Sequence, residues 1–204
     1  MLDQTETVGR LLRAIELSAG QASSDFDLNE GSGRVEGRRL RDASVLISFI
    51  FRDGGWHIVL TKRASVLRHH PGQVAFPGGK QDKTDASAQA AALREAEEEI
   101  GLGPASVRVL GSLGAHETVT NFKVTPVLGL IEGDFVPRPE AGEVDTIFEV
   151  PLGFLMDPAN TSIEGRIWNG VVRKYYVIPY GPFYIWGATA RIIVGLRHLW
   201  DEAG

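Results

Sequence analysis

Apolar residues recur along this chain with two different periods, and the changes of period mark out its elements. Val8, Leu11, Leu12 and Ile15 fall at helical spacing, which predicts a short helix docking by one side. Residues 18–41 then turn rich in Gly, Ser and charge, the pattern of a loose connector. Residues 45–51 form the longest apolar run, broken by Ser48. They read as a strand, with Gly54-Gly55 as a turn and residues 56–61 as the hairpin partner. Residues 86–100 are the one long, strongly helical segment, with Thr84 or Asp85 placed to cap it and Gly101 to end it. Residues 107–113, 123–131, 146–150 and 171–179 have strand composition. Residues 187–200 read as a closing helix with Ile192, Ile193, Leu196 and Leu199 on its buried side. Strands in the majority with two substantial helices predict an α/β (α+β) fold, a mixed sheet between helical layers.

Composition narrows what such a fold can do. The chain has 204 residues, 43% of them apolar and 23% charged, which suits one domain with a true core. Twenty-one Lys and Arg against 26 Asp and Glu give a net charge of −5, so the overall charge attracts neither nucleic acid nor an anionic membrane. Any phosphate has to be held locally. Cysteine is absent, which excludes disulfide scaffolds, thiol nucleophiles and thiolate zinc sites. The amino-terminal residues mix charges among their apolar positions, unlike a secretory signal, and the longest apolar run is too short to span a bilayer. A cytoplasmic protein is expected.

The chemistry concentrates in residues 78–101. Four of the five residues from Glu95 to Glu99 are carboxylates. On a helix Glu95, Glu98 and Glu99 stand at i, i+3 and i+4 and share a face, Glu97 points away, and Leu93, Ala96 and Ile100 form the buried stripe. Like charges at that spacing repel by roughly 0.2–0.5 kcal/mol per pair, and they lie at the helix carboxyl end, where the dipole disfavours them. A solvated surface helix would intersperse Lys or Arg, yet only Arg94 is present, so something cationic is expected there. Oxygen ligands without His or Cys select hard divalent ions, Mg²⁺ first and Mn²⁺ as its substitute. Gly78 and Gly79 follow an apolar, strand-like Val74-Ala75-Phe76 and Pro77. They let backbone approach the helix or a phosphate closely.

Gly79, Asp85 and Arg94-Glu95-Ala96-x-Glu98-Glu99-x-Gly101-Leu102 together resemble the Nudix box. Asp85 stands where the box has Glu, and eight residues instead of seven separate it from Arg94. Both departures bear on the loop, not on the spacing of Arg94, Glu95, Glu98 and Glu99. The segment just upstream, Leu60-Thr61-Lys62-Arg63-Ala64, Arg68, Gly72 and Phe76-Pro77-Gly78-Gly79, is similar to the signature of the coenzyme A diphosphatase subfamily, which shares that insertion. The dense likeness spans residues 59–102, with weaker likeness running on to Ala190. The resemblance implies an α/β/α sandwich around a mixed sheet, over residues 43–204, with residues 1–42 as a helix and connector packed on it. It further implies Mg²⁺- or Mn²⁺-dependent cleavage of the diphosphate of coenzyme A or an acyl-CoA, with adenosine 3′,5′-bisphosphate and a phosphopantetheine as products. A homodimer is compatible with the family.

By that likeness Glu95, Glu98 and Glu99 are the expected metal ligands and Arg94, Glu95, Glu98 and Glu143 the expected catalytic set. Arg94 is expected to orient a carboxylate, because a bidentate guanidinium fixes one rigidly. The general base is either a box glutamate or Glu143 in the loop before residue 146, with Glu117 and Glu140 as weaker alternatives. Lys62, Arg63, Arg68, His69 and His70 form a basic patch in an acidic chain, and Arg63 and Arg68, with Gly78 and Gly79, are expected to hold the substrate's phosphates. Tyr175, Tyr176, Tyr180, Phe183, Tyr184 and Trp186 cluster near the carboxyl end. Packing against the sheet is the default reading, and stacking on adenine or lining a pantetheine groove the other. Another diphosphate substrate (ADP-ribose, a dinucleotide or a nucleoside triphosphate) and a nucleotide-binding module without catalysis are the competing expectations.

Overall fold

The computed structural model describes residues 3–29, 37–66, 71–168 and 170–204. In chain order the elements are α1 (Gln4–Leu17), β1 (Ser23–Ser24), β2 (Arg41–Arg52), β3 (Gly55–Arg63), β4 (Val74–Ala75), β5 (Gly78–Lys80) and α2 (Ala88–Ile100). There follow β6 (Val107–Ser112), β7 (His116–Glu117), β8 (Phe122–Ile131), β9 (Val144–Pro151), α3 (Leu152–Met156), β10 (Ser162–Trp168), β11 (Val171–Tyr180), β12 (Phe183–Trp186) and α4 (Gly187–Glu202). Among the described residues they build a mixed nine-stranded sheet and a separate antiparallel sheet of β10, β11 and β12.

β2 is the hub of the large sheet. One edge pairs in parallel with β8 from Arg41↔Phe122 to Phe49↔Leu130. The other edge is shared, residues 43–45 carrying β5 and residues 49–52 carrying β3. Side chains alternate across this strand. Leu46 and Ile50 pack with Ala92, Ala96 and Ile100 of α2, while Ile47 and Phe49 pack on the opposite face with Leu11 and Ala14 of α1 and Ile193 and Leu196 of α4. The sheet is therefore buried on both sides between helical layers, the α/β/α sandwich expected above. No helix among the described residues is long and apolar enough to cross a membrane.

Several boundaries differ from the sequence reading, each for a local reason. The hairpin turns at Asp53 and Gly54, both at positive φ, and Gly55 already pairs with Arg52. That is the two-residue turn whose twist matches antiparallel strands. Leu12 is 42% exposed; the buried stripe of α1 runs through Leu11 and Ala14 instead, with Val8 and Ile15 packed against it. The connector is pinned where β1 pairs with β7 and Phe26 is buried. In α4, Leu199 is half-buried while Ile192, Ile193 and Leu196 are buried.

The cap of α2 is Ser87, whose side chain accepts from the Ala90 amide. Neither Thr84 nor Asp85 caps the helix. Gly101 does end it, with a left-handed φ of 72° and its own amide donating to the Glu97 carbonyl at 3.0 Å, the single-bond left-handed closure. Leu93 is only partly buried, and the stripe facing the sheet is Ala91, Ala92, Ala96 and Ile100. Replacing Ser87 with Ala should lower stability in urea unfolding by about 1 kcal/mol. Thr84→Ala, at an exposed loop position, should leave the unfolding midpoint unchanged; the reverse pattern would return the cap to Thr84.

Candidate active site

Small residues bring α2 down onto β5. Gly78 runs antiparallel to Val45 of β2 at φ +155°. A β-carbon there would meet the Ser44 carbonyl oxygen at 2.4 Å. At Gly79 a β-carbon would lie 2.6 Å from the carboxyl group of Glu95. Gly78 thus lets β5 lie against β2, and Gly79 leaves the space into which α2 presents Glu95. The Gly78 amide donates to Oε2 of Glu99 at 3.1 Å.

The three carboxylates of the helical turn are not equivalent. Side-chain exposure is 7% for Glu99, 18% for Glu95 and 58% for Glu98. Burial pushes Glu99 up to about 7, opposed by the Gly78 amide and by Arg63, whose Nη1 is 3.7 Å from Glu99 Oε1. The charges of Glu95 and Glu143 push it the same way as burial does. Glu95 is also raised, chiefly by burial and against the pull of Arg94.

Arg94 is the internal counter-ion. Its Nε and Nη2 donate to the two oxygens of Asp85 at 3.0 and 2.9 Å, a bidentate pair that holds Asp85 below the usual carboxylate range. Its Nη1 lies 3.0 Å from both Glu95 and Glu98. Asp85, the residue that departs from the box, therefore serves Arg94 rather than the helix cap.

The other expected residues divide. Glu143 is exposed at the start of β9, close enough to act electrostatically on Glu99. A register shift between Lys62 and Arg63 sets Arg63 opposite Val144, which brings Arg63 and Glu143 to the same end of the site. Lys62 is paired with Asp145 at 2.9 Å. Arg68, His69 and His70 lie outside the described residues. Glu117 pairs with Arg38 on β7, and the Glu140 amide donates to the Glu99 carbonyl at 2.9 Å.

A cavity of about 660 Å³ opens beside Gly78, Gly79 and Lys80. The charged part of its far wall was not legible in the sequence, because Asp25, Arg173 and Arg191 come from three separate segments. Tyr175, Tyr176 and Trp186 do face this cavity, whereas Phe183 stacks on Phe148 at 3.6 Å. The connector wall is fixed by fully buried His116, whose Nδ1 is 2.9 Å from Ser23 Oγ and Nε2 3.0 Å from Asp25 Oδ1.

Among the described residues no three carboxylate or imidazole groups converge on one point, since Arg94 stands between Glu95 and Glu98. The donor chemistry nonetheless fits a hard divalent ion. Asp85, Glu95, Glu98 and Glu99 face two guanidinium groups, Arg63 and Arg94, and burial raises Glu95 and Glu99, a cost that a hard divalent ion beside them would offset.

A family model described as the NUDIX domain matches residues 40–161. A protein named "Uncharacterized Nudix hydrolase NudL" from Escherichia coli K12 is 42% identical over 153 residues, 75% of this chain and 79% of that one. A MutT/nudix family protein from Enterococcus faecalis shares the fold at TM-score 0.52 and 13% identity, over 96% of this chain and 73% of that one. The NUDIX domain of Shewanella oneidensis NrtR, solved with ADP ribose, does so at TM-score 0.51 and 15% identity, over 79% and 88%.

The raised Glu99 gives a signed expectation for the protein in EDTA. Its folded-state value of about 7 exceeds the ordinary 4.5, so the folded state holds the extra proton between them. The stability linked to Glu99 is complete below pH 4.5 and is lost as pH rises through 7. Urea unfolding in EDTA should show that loss as a few kcal/mol. Glu99→Gln should flatten it, and the gain on adding Mg²⁺ at pH 8 should shrink in the variant. An equal pH dependence in both proteins would mean that Glu99 is solvated.

Proposed function

We propose a substrate from one premise: the chain belongs to the Nudix family of hydrolases. Within it, the activity we infer is divalent-metal-dependent hydrolysis of the diphosphate of coenzyme A or an acyl-CoA, giving adenosine 3′,5′-bisphosphate and (acyl-)4′-phosphopantetheine. One observation carries the choice. The segment similar to the coenzyme A diphosphatase signature contributes Arg63 and Gly78 directly to Glu99, so signature and carboxylates belong to a single site.

Glu95, Glu98 and Glu99 would hold Mg²⁺ or Mn²⁺. Such an ion, when bound, neutralises phosphate oxygens and acidifies water. The chain's own groups do the rest. Arg94, saturated by Asp85, Glu95 and Glu98, positions carboxylates and is not free for substrate. Arg63 is the guanidinium nearest to Glu99 and pairs with a diphosphate oxygen. Gly78 and Gly79 of β5 line the cavity and would turn bare backbone toward the diphosphate. Water attacks phosphorus in line, the bridging P–O bond breaks, and the attacking water's proton passes to a carboxylate oxygen of Glu98 or Glu143.

Glu98 is largely exposed, so Glu98→Gln should keep the fold while lowering kcat by about a thousandfold. A variant retaining most of its activity would displace the proposed centre. Parallel turnover of coenzyme A, ADP-ribose and a nucleoside triphosphate, with product analysis in ¹⁸O water, tests the substrate. Label should enter one phosphate product of coenzyme A, and preferential turnover of ADP-ribose would replace this reading.

A further inference from the structure

The hairpin of β10 and β11 sets two guanidinium groups side by side, and no ion pair among the described residues joins either to an acid. In its antiparallel register Arg166 stands directly opposite Arg173, so the two leave the same face with β-carbons about 5 Å apart. Both line the cavity that opens beside Gly78–Lys80. Like charges so placed are destabilising. Among the described residues neither guanidinium has an ion-pair partner, and the acids nearby are engaged elsewhere. Glu164, on the same face, accepts from the Tyr184 hydroxyl at 2.8 Å. Asp27 pairs with Arg191 at 2.7 Å, and Asp25 with His116 and the Val119 amide at 3.0 Å each. Phe26, whose ring centre is 5.8 Å from the Arg173 guanidinium, supports that side chain without neutralising it.

Beside the pair, Tyr175 and Trp186 line the same cavity with ring centres 5.4 Å apart. They offer aromatic surface to a planar base. From β5 across this wall the cavity thus presents backbone open to a diphosphate, aromatic rings and then two opposed guanidinium groups. An uncharged, flexible pantetheine arm would use neither the rings nor the charges. A nucleotide with a further phosphate on its ribose uses both, because two guanidinium groups at this spacing share one phosphate.

We infer that Arg166 and Arg173 bind a phosphate monoester on the ribose of the substrate's nucleotide half, so that the nucleotide occupies the cavity and the pantetheine end faces outward. The choice of a 3′-phosphorylated ligand rests on the coenzyme A reading above. The pair sets specificity and takes no part in bond cleavage.

Two measurements separate this inference from the reading it rests on. In calorimetry the protein should bind adenosine 3′,5′-bisphosphate at least about tenfold more tightly than adenosine 5′-monophosphate. Arg173→Gln and Arg166→Gln should each remove most of that preference. Neither variant should lower the ligand-free melting temperature, because each deletes a repulsion. In kinetics both should raise KM for coenzyme A about tenfold and leave kcat/KM for 3′-dephospho-coenzyme A within about twofold. Equal binding of the two nucleotides, or equal losses on both substrates, would overturn the inference even if coenzyme A is hydrolysed. A retained bisphosphate preference without coenzyme A turnover would overturn the substrate reading and leave the phosphate site standing.

Discussion

The structure turns on the close approach of one helix to a strand that opens with two glycines. Glu99 is buried, yet it is a carboxylate, and burying a carboxylate costs several kcal/mol unless it is hydrogen-bonded or paired. The Gly78 amide, Arg63 at 3.7 Å and the glycine-lined space beside it are what make that burial tolerable. Ala91, Ala92 and Ala96 let α2 sit low enough to deliver it. Neither the sheet nor the helix would require this geometry on packing grounds alone, since an apolar residue at 99 would bury better.

Arg94 explains why three carboxylates can share one helical turn before any other cation arrives. It is anchored by Asp85 from outside the helix, and its third nitrogen bridges Glu95 and Glu98. The arrangement opposes the repulsion between Glu95 and Glu98 but does not reach Glu99, whose counter-charge is the more distant Arg63. The residual excess of negative charge is concentrated at the buried end of the row. A divalent cation has most to gain there, because a low dielectric strengthens each charge interaction.

What was legible in the sequence is what is encoded locally. The spacing within residues 94–101 fixes one helix face whatever the rest of the chain does, so the grouping of Glu95, Glu98 and Glu99 and the closure at Gly101 could be read directly. Their unequal burial could not, because it depends on β5 and on a register shift in β3. The cap was misplaced because Thr84 and Asp85 are capping types too, and only the tertiary pairing of Asp85 with Arg94 removes it from contention. The short strands β1, β5, β7 and β12 escaped for a related reason. Two to four residues carry too little periodicity to be recognised, and long-range pairing alone makes them strands. The cavity wall is more remote still, since its residues are separated by up to some 160 positions between Asp25 and Trp186.

That separation has a physical consequence for how such a chain changes its chemistry and its choice of ligand. The carboxylates lie on a single rigid helix whose geometry is locked by backbone contacts to β5 and β2, so substitutions elsewhere leave it intact. The cavity beside Gly78 and Gly79, which none of these carboxylates lines, is walled by the connector, the β10–β11 hairpin and the start of α4, elements held to the core mainly through α4 and β11. Arg166 and Arg173 sit on strands that share no backbone hydrogen bonds with the large sheet. Exchanging these two positions therefore leaves the charge balance at Glu99 undisturbed, because Arg94 and Arg63 that set it belong to other elements. The carboxylate row and the hairpin wall are thus built from separate elements, and Gly79 of β5, set against Glu95 on one side and lining the cavity on the other, is where the two come nearest.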